Sequence, residues 1–297
     1  MLTLEGLKRS IRTAEDLHSV VKTMKALAAV NIRQFQQALN SLTDYSRTIE
    51  QGFQVLLQQP GASFSKPRQA ATNKLAAIVF GSDQGMCGPL NEQIATYLDN
   101  QLSERNQSKE DTRVLVIGTR LAGRLEDLGY RVQVPFALPT TVARVTPAVQ
   151  TTLLTIDGWT EGRGVDHILL CYCQHLSSGS YAPKSLELLP LDVRWLETLK
   201  KQKWPGPSLP TFTLDADALF SRLVHQYLFV SLFRAFVESL ASENASRLLS
   251  MQAAERNIAD RLEDLTSLYH QERQMAITGE ILDIVSGFEA LSTSSEN

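Results

Sequence analysis

Proline and glycine are missing from long stretches at both ends of this chain of 297 residues. Neither residue occurs between Leu7 and Gln51, and no proline follows Pro210. Because these two residues most strongly break or weaken helices, their absence permits two very long helices. At about 1.5 Å per residue, the helices would be roughly 75 Å and 120 Å long. We therefore expect a rod attached to a globular domain.

Cysteine and long apolar runs are also scarce. The three cysteines, Cys87, Cys171 and Cys173, are too few for a disulfide framework, which favours a reducing compartment. Cys171 and Cys173 have the spacing of one strand face, which favours small buried side chains over metal ligands. No stretch reaches the ~18 apolar residues of a membrane span, and the first ten residues lack the apolar core of a signal peptide. Any membrane association is therefore expected to come through partners.

Charge is distributed unevenly between the two ends, although the whole chain carries a net charge of only −3. Residues Thr3 to Glu50 contain seven Lys or Arg against five acidic residues, a net charge of +2. Residues Thr211 to Asn297 contain six Arg against thirteen acidic residues, a net charge of −7. Opposite signs favour helices that lie against each other, and a solvated face on each helix is an equally good explanation.

The first helix carries a heptad repeat. With position a at Leu4, thirteen of the sixteen a and d positions up to Leu56 are apolar when alanine is included. A heptad held over eight repeats predicts a coiled-coil seam. The exceptions are His18, Lys25 and Ser46, and the apolar period of the second helix is interrupted by Asn244, Glu255 and Glu272. An antiparallel coiled coil of the two ends is the economical arrangement, and a third helix from a partner is the alternative.

Short apolar and helical segments alternate between the two long helices. We predict a first strand at Leu75 to Phe80, buried on both faces, and later strands at Val114–Ile117, Arg131–Val134, His167–Cys173 and Ser185–Pro190, with helices at Pro89–Gln101, Leu121–Leu128 and Thr146–Ile156. This alternation indicates a mostly parallel, Rossmann-like α/β domain. The predicted divisions are an N-terminal coiled-coil helix over 1–58, the α/β domain over 74–195 and a C-terminal coiled-coil helix over 211–291.

The turn from Gly81 to Gly88 lies between a strand and a helix, where a phosphate-binding loop would occur. Its residues do not fit one, because Met86 and Cys87 follow Gly85 where a P-loop has Lys and Ser or Thr. A tight turn with close helix–strand packing is the preferred interpretation. The five histidines form no metal-spaced pair and no nucleophile elbow is present. We therefore predict no catalytic residue, no cofactor and no metal site.

Three stretches have the character of motifs. They are Val21 to Ala29, the turn from Ser82 to Gly88 with Asn91, and the second helix, where Leu240 to Arg247 and Met251 precede Tyr269 to Gly287. Leu188 to Leu191 fit the same pattern. Together they resemble the gamma subunit of F-type ATP synthases, in order and over nearly the whole chain.

The resemblance implies a central-stalk rotor of the F1 sector. In that family the terminal helices form a coiled coil inside a hexamer of alternating alpha and beta subunits. The α/β domain sits at the foot, with the epsilon subunit, on the membrane ring of c subunits. Such a subunit transmits torque and couples ion translocation to ATP synthesis or hydrolysis, while catalysis resides on beta. The implied location is peripheral, on the cytoplasmic face of an energy-transducing membrane.

The resemblance also implies contacts with the surrounding hexamer, assigned by motif match. The implied interface residues are Lys22, Met24 and Lys25 on the first helix and Arg273, Gln274, Thr278 and Glu280 on the second. For each of them, a solvated or seam position is the alternative to an interface role.

The chain departs from the family pattern in two places. His270, Gln271 and Glu272 replace the usual Asn and basic residue after the tyrosine, and Pro89-Leu90 replaces Gly-Tyr before Asn91. These departures indicate a divergent member and leave an alternative, sodium-driven ATPase open. Two other classes of function also remain open. One is a helical-hairpin adaptor of another multiprotein assembly, and the other is an enzyme that uses the Gly81–Gly88 loop.

Overall fold

A computed structural model describes residues 3–59, 74–132, 135–162, 164–176 and 180–294. The elements are α1 (Leu4–Gln58), β1 (Leu75–Phe80), α2 (Leu90–Glu104), β2 (Arg113–Ile117), α3 (Thr119–Asp127), α4 (Val145–Gly162), β3 (His167–His175), β4 (Tyr181–Leu189), α5 (Val193–Lys201) and α6 (Ala216–Ser294). The chain divides into two compact units, and each of the long helices contributes to both. We call residues 1–27 with 250–297 the helical unit, and residues 28–249 the sheet unit.

Two features of the sheet unit differ from the sequence prediction. The prediction of a third strand at Arg131–Val134 was wrong for its two described residues, 131 and 132. Val132 forms only an isolated bridge to Val114, and residues 133–134 lie outside the described residues. Helix α5 was not predicted, and the Asp192 carboxylate caps it by accepting from the Arg194 N–H at 2.8 Å. The loop predicted at Gly61–Asn73 also lies outside the described residues.

The sheet has four strands in the order β2-β1-β3-β4. Strand β1 pairs in parallel with both β2 and β3, and the edge strand β4 pairs antiparallel with β3. All six residues of β1 are buried, as predicted for a strand covered on both faces. The sheet is therefore mostly parallel, in agreement with the predicted fold class.

Successive residues of β1 supply the cores on the two sides of the sheet. Ala76, Ile78 and Phe80 join a core that contains residues of α4 and α6, with the Phe80 ring edge-on to Phe236 at 4.7 Å. Leu75, Ala77 and Val79 join a second core with residues of α2 and α3. Cys171 and Cys173 both lie in that second core, on one strand face as predicted. The sheet unit is therefore layered, with helices covering both faces of the sheet.

Within the sheet unit, α1 and α6 pair in antiparallel directions. The Asn31 side chain donates to Asn244 Oδ1 at 3.3 Å, and Arg234 Nη2 donates to Ser46 Oγ at 3.1 Å. Further along α1, the Phe53 ring lies 6.0 Å from the Phe220 ring. Residue numbers that rise along α1 thus meet numbers that fall along α6. The predicted antiparallel pairing is therefore present in this unit.

The heptad predicted for α1 matches its burial. Every d position from Leu7 to Leu56 is buried except Ala14, which is half-buried, and every a position before Phe53 is half-buried. Packing in the seam is consequently tightest along the d positions.

Several of the predicted polar interruptions find polar partners on the other long helix, and one pair joins an interruption of each seam. In the helical unit, the Lys25 ammonium forms an ion pair with the Glu255 carboxylate. In the sheet unit, Ser46 accepts from Arg234, and Asn244 accepts from Asn31. A polar group in an apolar seam is stable when it finds a partner, so these exceptions help to specify the register of the pair.

Candidate subunit-interface surfaces

The seven predicted interface residues all lie in the helical unit, three on α1 and four on α6. None of the helices within the described ranges is long and apolar enough to cross a lipid bilayer. In the same ranges, no three His, Cys, Asp or Glu side chains converge as metal ligands would. The candidate contact residues therefore lie on the surfaces of these two helices.

On α1, the predicted residue Met24 belongs to a wider apolar stripe. Leu17, Val20 and Leu27 are each more than half exposed, and Met24 between them is half-buried. Spacings of three and four residues place all four side chains on one helix face, apart from the a and d seam. Sequence reasoning recognised only Met24 of this stripe, although the spacing was readable.

Lys25 and Lys22 differ in what their ammonium groups contact. Lys25 is half-buried and its charge is neutralised by Glu255 within the chain. The hydrogen bond from Lys25 lowers the pKa of Glu255, and the charges of His18 and Lys22 lower it further. Lys22 is exposed and forms no ion pair with any described residue. Lys22 is therefore the lysine better placed to contact another protein.

On α6, we call Arg273–Val285 the distal segment. All four predicted residues in it, Arg273, Gln274, Thr278 and Glu280, are exposed. The Thr278 hydroxyl donates to the Gln274 carbonyl at 2.9 Å, which is a bond within its own helix. Arg273 and Glu280 form no ion pair with any residue that the structure describes. Their charged ends are thus available for contacts outside the chain.

The distal segment also exposes many large apolar side chains, which sequence reasoning did not list as site residues. Their exposed fractions are between 47% and 72%, and they are Met275, Ile277, Ile281, Leu282, Ile284 and Val285. At about 100° per residue they cover roughly half of the helix circumference, far more than a two-helix seam needs. Exposed apolar surface of this extent is typical of a site that contacts another protein or a membrane.

Hydrogen bonds tie the Gly81–Gly88 loop to the neighbouring residues Thr119, Leu138 and Asn91. The Asp83 carboxylate accepts from the backbone N–H groups of Thr119 at 2.8 Å and Leu138 at 2.7 Å. Thr119 is the first residue of α3, so the Asp83 carboxylate caps the helix that follows β2 and ties the loop to it. Asn91 accepts from the Ser82 N–H at 3.0 Å and closes the other side. The geometry therefore favours a structural turn over a nucleotide site.

Close packing explains why glycine stands at position 81. A Cβ atom there would lie 2.3 Å from Leu121 Cβ and 2.8 Å from Asn91 Oδ1. Gly88, at the end of the loop, has a φ of 58°, which few other residues adopt. Both observations agree with the tight turn and close helix–strand packing predicted from the sequence.

Comparison with known proteins identifies the family. The family model described as ATP synthase matches residues 3–291. The ATP synthase gamma chain of Pasteurella multocida is 26% identical over 295 residues, which cover 98% of this chain and all of that protein. The ATP synthase gamma chain of Polaromonas naphthalenivorans is 25% identical and covers 96% of this chain and 98% of its own length.

Solved structures give the same fold. A chain from the OSCP/F1/c-ring structure of the Euglena gracilis mitochondrial ATP synthase superposes with a TM-score of 0.67 at 16% identity, covering 99% of this chain and 96% of that one. A chain from the rotor structure of the same enzyme has a TM-score of 0.63 at 15% identity, covering 92% and 98%. With a family model that matches nearly every residue and relatives that match from end to end, the chain belongs to the ATP synthase gamma-chain family.

Proposed function

We propose that this chain is the central-stalk rotor of an ATP synthase and carries torque between a membrane ring of c subunits and a hexamer of alpha and beta subunits. Its family membership supports the central-stalk role. The ATP-converting sites would lie on the beta subunits, so this chain would contribute no catalytic group. As part of a peripheral complex, it would work at the cytoplasmic face of an energy-transducing membrane.

The observation that best supports this function is the distal segment of α6. Six large apolar side chains are exposed there over roughly half of the helix surface. Such a surface is costly in water and calls for a covering partner. A sleeve of alpha and beta subunits would cover the helix from several sides at once, whereas a single partner helix would leave part of the surface exposed.

The polar residues of the same surfaces would orient the shaft within the sleeve. We assign Arg273, Gln274, Thr278 and Glu280 to contacts with the hexamer, together with Lys22 and Met24 of α1. Lys25 would act indirectly, because its ion pair with Glu255 holds α1 and α6 together in the helical unit. The α/β domain, predicted over residues 74–195, would contact the epsilon subunit and the c-ring.

Reconstitution of ATPase activity from alpha, beta and this chain tests the proposal. The wild-type chain should restore hydrolysis, although alone it hydrolyses no ATP. The double variant I281S/L282S should keep the fold of the free chain and reduce the restored activity about tenfold or more, as for central interface residues. Leu154→Ser is the matched control, because Leu154 is 72% exposed on α4 of the sheet unit and should have little effect.

A second pair of variants tests whether assembly depends on a specific polar contact or on any exposed polar residue of the same helix. Arg273→Ala should weaken assembly with alpha and beta, whereas Gln271→Ala, an exposed change two residues earlier, should not. If the wild-type chain captured neither alpha nor beta, the adaptor hypothesis would replace this proposal. Nucleotide affinity of the free chain that disappears in Gly85→Val would instead revive the enzyme hypothesis.

A further inference from the structure

One stretch of α6 is buried on every side and is nevertheless rich in polar residues. All thirteen residues from Ala235 to Arg247, which we call the anchor segment, are buried. Seven of them are polar or charged, namely Glu238, Ser239, Ser242, Glu243, Asn244, Ser246 and Arg247. Buried polar groups are stable only when they form hydrogen bonds. The bonds of these side chains therefore show what the anchor segment is attached to.

The polar side chains of the anchor segment contact four neighbouring parts of the sheet unit. The Ser242 hydroxyl lies 2.9 Å from the Cys173 carbonyl oxygen in β3. The Ser246 hydroxyl donates to the Cys87 carbonyl in the loop after β1, and the Tyr181 hydroxyl of β4 lies 3.3 Å from the same Ser246 oxygen. Asn244 accepts from Asn31 of α1. The helix is thus bonded to the sheet end and to its partner helix.

The neighbouring strands offer the Cys173 carbonyl few hydrogen-bond donors. The register of β1 with β3 ends at Cys171, and the residue of β4 opposite Cys173 is Pro183, which has no N–H. The Ser242 hydroxyl supplies a donor at this position, shared with the Glu238 carbonyl 2.8 Å away in its own helix. Ser242 therefore satisfies a carbonyl that the strand ladder leaves short of partners.

Ser242 and Ser246 act on the same helix face. They are four residues apart, so their side chains lie one turn apart on one side of α6. The adjacent residues Ala241 and Ala245 end at Cβ and are fully buried, which allows the helix backbone to approach closely. Two bonds one turn apart resist sliding of the helix along its axis and also resist rotation about it. A single bond would resist neither as well.

We propose that Ser242 and Ser246 are positioning residues that lock α6 rotationally to the sheet, so that torque carried by α6 enters the sheet unit at the anchor segment. This inference rests on the rotor function proposed above. Helix α6 is continuous from Ala216 to Ser294, so the anchor segment and the distal segment belong to one helix. Torque acting on the distal segment would twist α6 against the sheet, and the two serine bonds oppose that twist.

The first test measures the lock in the free, full-length chain. The double variant S242A/S246A removes both hydroxyl groups and adds no bulk, so the fold should persist. Loss of these bonds should speed amide hydrogen exchange in the anchor segment about tenfold. Ser221→Ala is the matched control, because Ser221 is exposed and its hydroxyl donates to the Asp217 carbonyl of the same helix at 2.9 Å, with no bond to the sheet among the described residues. Equal exchange in all three proteins would overturn the lock.

The second test measures torque transfer in the ATP synthase assembled with each chain and placed in lipid vesicles. ATP hydrolysis and the membrane potential reported by a voltage-sensitive dye are recorded together. In S242A/S246A, hydrolysis should remain while part of the pumping is lost, so the ratio of pumping to hydrolysis falls. Ser246→Leu, which also forces the helix away from Cys87, should lower the ratio further. A merely structural role would lower both rates in proportion and leave the ratio unchanged, which would overturn the proposal.

Failure of the rotor function gives a different result. If the wild-type chain supports neither hydrolysis nor pumping with its partners, the proposed function is wrong whatever the serine variants do. If the wild-type and S221A chains support both activities and S242A/S246A keeps the wild-type ratio, the rotor function stands and the serine lock is wrong.

Discussion

Two segments of one helix, α6, reverse the usual relation between polarity and burial. The anchor segment, Ala235–Arg247, is more than half polar and entirely buried. The distal segment, Arg273–Val285, carries six large apolar residues, all of them exposed. A helix in a soluble protein ordinarily buries its apolar face and exposes its polar one. Each reversal therefore needs a cause outside the helix itself.

The causes of the two reversals differ. In the anchor segment, most of the polar side chains find partners within the chain, such as the Cys173 carbonyl for Ser242 and Arg247 for Glu243, while the Ser239 hydroxyl and one Glu238 oxygen find none among the described residues. In the distal segment, the apolar groups find no cover among the described residues. The comparison teaches that buried polarity indicates attachment inside the protein, while exposed apolar surface indicates attachment to another one.

The largest expected difference between the segments comes from removing an apolar side chain from each. Phe236 is 1% exposed and contacts Phe80, so Phe236→Ala should lower the free energy of unfolding by about 3–5 kcal/mol. Ile284 is 72% exposed, so Ile284→Ala should change it by less than about 0.5 kcal/mol in the free chain. Urea unfolding measures both. Equal losses would show that the distal segment is already covered within the chain.

A second expected effect concerns the sheet that the anchor segment covers. Gly81→Ala would push a methyl group against Leu121 and Asn91, and we expect a loss of about 1–3 kcal/mol in the free energy of unfolding. Gly85→Ala in the same loop is the control, because a Cβ atom there meets nothing within 4 Å. Thermal or urea unfolding of the two variants should therefore differ clearly, and similar values would contradict the close-packing explanation of Gly81.

The buried carboxylate of Glu238 should give the anchor segment a pH dependence. Burial raises the pKa of Glu238, and the charges of Lys184 and Arg234 offset this only in part. Because the folded protein then holds this proton more tightly than the unfolded chain, the stability contributed by the group falls as pH rises from its ordinary pKa through its folded pKa. One Glu238 oxygen also has no hydrogen-bond partner.

Removing that charge should therefore stabilise the protein near neutral pH. For Glu238→Gln we expect a gain of about 1 kcal/mol in the free energy of unfolding at pH 7, the low end of the cost of an unsatisfied buried polar group. The gain should shrink as pH falls and should disappear below the ordinary pKa of a glutamate, where the wild-type side chain is protonated in both states. Unfolding at a series of pH values checks this, and a loss of stability at pH 7 would show that the charge is favourable.

The smallest expected effect is a gain in helix stability in the distal segment. Gly279 lies within α6, and a Cβ atom there meets nothing within 4 Å. Gly279→Ala should therefore stabilise the local helix by up to about 1 kcal/mol through its higher helix propensity. Slower hydrogen exchange of the distal segment in the free chain would show the gain. The same substitution should weaken assembly only if a partner approaches the backbone at Gly279, which reconstitution with alpha and beta tests.

Much of the fold was predictable because its signals are local. The heptad of α1, the buried strand at Leu75–Phe80 and the long proline-free helices all follow from the spacing of residues near each other in sequence. The short helix α5 was missed, because it depends on contacts such as the Asp192 cap, and a strand was wrongly predicted at Arg131–Val134, where Val132 forms only an isolated bridge to Val114. The residues of both segments give weak periodic signals.

The candidate interface was only partly predictable. Motif resemblance pointed to Arg273, Gln274, Thr278 and Glu280, and the structure exposes all four, although their contacts with partners stay a prediction. The apolar residues around them were overlooked, because an apolar residue in a sequence does not reveal whether the folded chain covers it. Leu17, Val20 and Leu27 on α1 were overlooked for the same reason.

Residue order was enough to establish two long helices, a mostly parallel sheet between them and the positions where polar residues interrupt the apolar seams. Folding established which interruptions meet. Lys25 and Glu255 are 230 residues apart in the chain and form one ion pair, and Ser242 is 69 residues from the Cys173 carbonyl that it bonds. Helix and strand periods arise from neighbouring residues, whereas these pairs form only when distant segments pack against each other. The local spacing of residues does not indicate which distant segments will meet.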